Sequence, residues 1–289
     1  MIFLINPEKN MKFSHNIKWL LTILVLNSIL ITGLQAQPME TKMPTPLQIN
    51  SEEIGSLNKI NQGAQLLAKG ETMQAEVLLG EALIEHPDSP EAAYNFGLAL
   101  AFNGKFYEAI QANFKALELK ENFPEAHLAL GNIFMTIGDF QQALDAFAQA
   151  IELSGNEQLT RTATFNRAVA LGKVGRYAEA QLEFSSCLAA TPNDQAIPFQ
   201  LAALSLRRGK PASAIKWLDS MNDEYVIESN LMKARAYIAL KDTKQAKLAL
   251  AAAKNSLAAD SQLKADKDLN RIIAEIEAEI KTGKKKSGN

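Results

Sequence analysis

Catalysis or metal binding in this chain would have to come from its histidines, its one cysteine or a set of carboxylates. The three histidines are His15, His86 and His127. His15 falls in the N-terminal leader, His86 stands beside Pro87, and His127 lies early in an apolar, helix-patterned stretch. No His-Glu-x-x-His helix and no Cys-x-x-Cys pair occurs, so the ligand spacing of a zinc site is absent. Cys187 is the only thiol and cannot close an internal disulfide. Glu118, Glu152 and Glu183 read as charges on helix surfaces. The glycines form neither a Walker loop nor a dinucleotide fingerprint, and there is no Gly-x-Ser-x-Gly elbow. This pattern predicts no enzyme and no cofactor. What remains is binding by shape and by surface chemistry.

The elements that would present such a surface are legible. Pro124 to Glu157 reads as two amphipathic helices around a Gly138-Asp139 turn. Leu130, Ile133, Phe134 and Ile137 share one face before the turn; Phe140, Ala143, Leu144, Phe147, Ala150 and Ile151 share one after it. Such a pair cannot bury both stripes by itself, and the chain supplies copies. The inter-helix turn recurs at Gly70, Gly104, Gly138, Gly175, Gly209 and Lys241, at intervals of 34, 34, 37, 34 and 32 residues. An alanine column runs through 75, 109, 143, 180, 214 and 246, and a small-residue column through Gly63, Gly97, Gly131, Ala168, Ala202 and Ala234. Helix axes can approach closely only where side chains are short. Cys187 falls in the column of Ala82, Ala116 and Ala150, which predicts a small buried residue.

Several columns sharing one period signal a repeat array. The spacing and the motif Leu130-Gly131, Phe134, Gly138-Asp139-Phe140, Ala143, Phe147, Ala150 resemble the tetratricopeptide repeat family over residues 56–260. The resemblance implies an all-α, right-handed α-solenoid of about six helix pairs: 56–89, 90–123, 124–160, 161–194, 195–226 and 227–260. In that family the first helix of each pair lines a concave groove. The residues so implied are Ile60 in the first repeat; Tyr94, Leu98 and Phe102 in the second; Leu128, Asn132 and Met135 in the third; Phe165, Val169 and Lys173 in the fourth; Phe199 and Arg207 in the fifth; Leu231 and Arg235 in the sixth. Ala64, Leu67, Ala203, Leu206 and Ile238 belong to the same implied set. Four aromatics in this set, Tyr94, Phe102, Phe165 and Phe199, are expected to face a ligand, in a groove suited to a helix or an extended apolar segment. The family's lysine and asparagine clamp for a terminal carboxylate is not expected, because Ile60, Ala64 and Tyr94 occupy the early positions.

Residues 1–36 read as a signal peptide or an N-terminal membrane anchor. Met11 is the more natural start, with Lys12, His15 and Lys18 ahead of the 16-residue apolar run Trp19 to Leu34. That run is short for a span, which needs about 20 apolar residues. Residues 37–55, with Pro38, Pro44 and Pro46, read as a flexible linker. Residues 261–281 carry Leu269, Ile272, Ile273, Ile276 and Ile280 on one stripe, which predicts a helix capping the array; residues 282–289 are a basic tail. Without the leader the chain has 27 basic and 31 acidic residues, which leaves no electrostatic footprint for nucleic acid. The expected function is a non-catalytic protein–protein interaction scaffold or assembly factor, exported and periplasmic or anchored facing outward, with a protein or peptide partner in the groove. A pilus or secretin biogenesis factor, and a structural module that dimerises through the C-terminal helix, are the alternatives.

Overall fold

A computed structural model describes residues 46, 57–222, 225–259, 263 and 265–282. The leader, nearly all of the linker and the basic tail lie outside the described residues, and so do the expectations placed on them. Among the described residues the secondary structure is thirteen helices: α1 Leu57–Lys69, α2 Thr72–Glu85, α3 Pro90–Phe102, α4 Phe106–Leu119, α5 Pro124–Ile137, α6 Phe140–Leu153, α7 Glu157–Lys173, α8 Tyr177–Ala190, α9 Ala196–Arg207, α10 Pro211–Asp219, α11 Val226–Ala239, α12 Thr243–Ala259 and α13 Lys267–Thr282. Short turns join the first twelve into six successive helix pairs. Two compact units divide the chain within α7, after Ala170.

The turns repeat in atomic detail. Each hairpin closes with one residue in the left-handed region, at φ 80° for Gly70, 78° for Gly104, 86° for Gly138, 81° for Gly175 and 67° for Gly209. The residue after each turn donates its amide to a carbonyl five residues back, as in Asp139 to Phe134 at 2.9 Å and Lys210 to Ser205 at 2.8 Å. This is the hydrogen bond of a glycine-terminated helix, and it satisfies a carbonyl that the helix end leaves open. Lys241 takes the same conformation at φ 62° and makes the same bond, Asp242 to Tyr237 at 2.9 Å. A side chain there costs about 1 kcal/mol relative to glycine, and the hairpin forms regardless.

Starts are equally local. Pro90, Pro124 and Pro211 occupy first turns, where the missing amide donor is not needed. Ser89 accepts from the Ala92 amide at 3.1 Å, and Asp139 from Gln142 at 3.2 Å. The three-residue insertion before the fourth repeat adds helix rather than loop. Asn156 accepts from the amides of Gln158 and Leu159 at 2.9 and 3.2 Å, and α7 begins at Glu157 and runs for 17 residues.

In the first unit the small column is filled from across each hairpin. A Cβ on Gly63 would lie 2.4 Å from Leu79, and one on Gly97 2.5 Å from Asn113. The alanine column is fully buried at all six positions. In the second unit Leu269, Ile272, Ile273 and Ile276 of α13 pack on Leu231, Ala234, Leu250, Ala253 and Leu257 of α11 and α12. The stripe of α13 therefore covers the end of the last hairpin.

Candidate protein-binding surface

The expected groove residues lie on the first helix of each hairpin, and most are interior. In the first unit Ile60, Tyr94, Leu98, Leu128, Asn132, Met135, Phe165 and Val169 are all buried, and Phe102 is half-buried. In the second unit Phe199 and Leu231 are buried, while Lys173, Arg207 and Arg235 are half-buried. The aromatic strip expected to face a ligand is thus mostly core, and Phe102 is the one of its four rings that reaches the surface. The reason is how closely successive first helices approach. Asn166 of α7 donates its Nδ2 to Oδ1 of Asn132 of α5 at 2.8 Å, so the next helix sits directly on a groove position. Tyr94 packs against Phe123, with centroids 5.3 Å apart, and burial together with the Glu125 charge pushes its hydroxyl pKa well above the usual value. Phe199 stacks on Tyr225 at 6.1 Å.

One of these partners, Phe123, carried a sequence signal that the groove reading did not use. Asn166 stands three residues short of Val169, the repeat equivalent of Asn132, because the local turn interval is 37, so the repeat spacing did not mark it. Phe123 precedes the helix-starting Pro124, where an apolar residue commonly anchors a helix entry.

The second unit contributes charge. Arg207 Nη1 donates to the carbonyl of Gly172 at 3.3 Å, in the last turn of α7, where carbonyls lack intrahelical partners and the helix end is electronegative. Lys173 is the next residue. Burial, and then the Arg207 charge, lower its pKa to about 8 from the ordinary 10.5. Burial likewise lowers the Arg207 pKa. Two cations held together and partly out of water form an electropositive spot suited to a carboxylate.

This spot has a consequence for stability. Between pH 8 and 10.5 the unfolded chain binds more protons at Lys173 than the folded one, so stability rises with pH in that window and the penalty is full below it. Lys173→Met is expected to raise stability at neutral pH by about 1 kcal/mol, allowing for the partial exposure of the amine, and to flatten the rise between neutral and alkaline pH. Urea denaturation of both proteins across that range checks it.

Arg235 is already engaged. Its guanidinium lies 3.5 Å from Glu279 and 3.8 Å from Glu275 of α13, with side-chain exposures of 13, 15 and 26 %. The acids that hold it sit beside the apolar stripe on the capping helix.

The tetratricopeptide repeat family matches at residues 61–127, 112–158 and 128–194. No curated protein matches the chain. Among solved structures, PilW, described as a widely conserved type IV pilus biogenesis factor, superposes with a TM-score of 0.65 at 16% identity, over 78% of this chain and 100% of its own. Pseudomonas aeruginosa pilF gives 0.57 at 18% identity, over 72% and 95%. YrrB, described as a TPR protein with an unusual peptide-binding site, gives 0.52 at 17% identity, over 70% and 97%. At these identities the likeness is one of fold. The repeated turns, the small-residue columns and the family match agree: this all-α chain is a tetratricopeptide repeat protein.

Proposed function

We propose that this chain is a non-catalytic scaffold of the cell envelope that holds a protein partner along the first-helix faces of its hairpins. The observation that carries this reading is the set of half-buried side chains left on those faces: Phe102 in the first unit, Lys173 and Arg207 in the second. The aromatic edge of the first unit suits an apolar residue of a peptide or helix, and, separately, the cationic pair of the second suits a carboxylate. A leader at 1–36 would deliver the repeats outside the cytoplasm. A role in pilus biogenesis, the function named for PilW, is the narrower version of the same reading. Dimerisation through the C-terminal stripe is disfavoured, because that stripe is covered within the chain.

The test is photocrosslinking in the cells that make the protein, with the crosslinker at Phe102 in one strain and at Lys173 in another, followed by mass spectrometry. One dominant envelope protein captured from either position is the expected result. Capture of copies of this chain alone would replace the scaffold reading with self-assembly. Phe102→Ser combined with Arg207→Gln is expected to weaken capture at least about tenfold, with helicity retained, since both side chains are only half-buried.

A further inference from the structure

One aligned position breaks its column. Stepping by the turn intervals, Leu66, Leu100, Phe134, Leu171, Ser205 and Tyr237 occupy equivalent sites in the six hairpins. Five are large and apolar. The fifth is a serine, and its hydroxyl is used up inside α9, donating to the Leu201 carbonyl at 2.7 Å. The second helix of that hairpin, α10, is also the shortest of the six, at nine residues. Where the large side chain is missing, a cleft of about 450 Å³ opens between α8, α9 and α10.

The chemistry of the cleft is two-part. Leu201, Leu204 and Trp217 supply apolar walls, and Arg208, Lys210 and Lys216 supply three cations. Among the described residues no carboxylate lines it. Arg208 is steadied by a hydrogen bond from Nη1 to the Gln181 side-chain oxygen, and among the described residues it forms no ion pair. Other surface cations on the same chain have acids beside them, as Lys105 has Glu76 and Lys254 has Glu277. A cleft formed by a missing apolar side chain and ringed by unneutralised cations is complementary to an apolar side chain flanked by acids.

We infer that this cleft is a second interaction site, which takes a Leu- or Phe-sized side chain from an acidic segment of a partner protein. The incoming side chain occupies the space that Phe134 or Tyr237 fills in its own hairpin, and the flanking carboxylates meet Arg208, Lys210 and Lys216. The site uses the side of α9 that carries Leu201, Leu204, Ser205 and Arg208, whereas the proposed groove uses Arg207 on the same helix. The two readings therefore stand or fall separately.

The chain has two tryptophans, Trp19 and Trp217. In the full-length Trp19→Phe protein the emission therefore reports on the cleft alone. The probe is the capped pentapeptide Glu-Glu-Phe-Glu-Glu. It is expected to shift Trp217 emission saturably, and the affinity is expected to fall as salt is raised. A peptide with glycine in place of phenylalanine, and one with lysines in place of the glutamates, are each expected to bind at least about tenfold more weakly, a factor of ten being about 1.4 kcal/mol. Ser205→Phe, which restores the column residue, is expected to abolish the shift and to raise the melting temperature. Lys210→Glu with Lys216→Glu, both exposed and safe for folding, is expected to weaken binding about tenfold. Absence of binding, equal binding by the glycine peptide, or unchanged binding to both variants would overturn the assignment.

Discussion

Replacing Phe147 with alanine is expected to cost about 4 kcal/mol, the upper part of the range for a buried aromatic truncation. Its ring is fully buried and lies against Gly131, where an added Cβ would sit 2.4 Å from Cε1, 2.5 Å from Cδ1 and 2.9 Å from Cζ. Those separations are far inside van der Waals contact. Gly131→Ala alone is therefore expected to destabilise by about 2 kcal/mol, the overpacking cost exceeding the gain of about 1 kcal/mol that alanine brings to a helix interior. In the Phe147→Ala background the clash is gone, and the same glycine change should be neutral or stabilising by about 1 kcal/mol. A double-mutant cycle in urea, followed by far-UV circular dichroism and by hydrogen exchange of α5 and α6, measures this coupling. Additive effects would mean that the ring does not fill the space the glycine leaves.

Arg235→Ala is expected to cost about 3 kcal/mol and to loosen α13, because it leaves Glu279 and Glu275 poorly solvated and without their cation. Burial lowers the Arg235 pKa against the opposing pull of those two glutamates, so desolvation is the larger influence on this group. Among the described residues its Nε and Nη2 find no hydrogen-bond acceptor. The pair is therefore expensive to break but is not the main source of stability, which comes from Leu269, Ile272, Ile273 and Ile276 beneath it. Replacing all three charged residues together, as Arg235→Met with Glu275→Leu and Glu279→Leu, should bring stability back to within about 1 kcal/mol of the starting protein. Amide exchange in α13 distinguishes the cases: fast in Arg235→Ala, slow in the triple variant. Slow exchange in Arg235→Ala would show that the apolar stripe alone seats the helix.

The arginine also changes how the binding face of the last hairpin reads. Family resemblance placed Leu231 and Arg235 on a partner-binding surface, and the chain covers both with its own terminal helix. A repeat array must close its last apolar face with something, and a helix with acids along one edge matches the guanidinium that would otherwise be left facing solvent. Of the second unit's residues in that set, Lys173 and Arg207 lie upstream of the region that α13 covers.

The sequence by itself determined the hairpins, their turns and their period. These follow from local rules that act within a few residues: glycine where φ is positive, alanine or glycine where helices touch, proline and serine where helices begin. Lys241 is instructive, since its place in the column outweighed its residue type. The sequence also carried the capping stripe of α13, because amphipathic spacing is a one-helix property. Tertiary structure alone decided which groove residues are surface. Tyr94, Phe165 and Phe199 stand ten residues before their turns and are buried, whereas Phe102, Lys173 and Arg207 stand two residues before theirs and are half-buried, because exposure depends on how far the next helix stands from each position, and amphipathic spacing along one helix does not encode that distance. Ser205 lies between the two cases. Its departure from the column is visible in the letters, but an open cleft rather than a collapsed contact exists because α10 is short and Arg208, Lys210 and Lys216 surround the space without filling it.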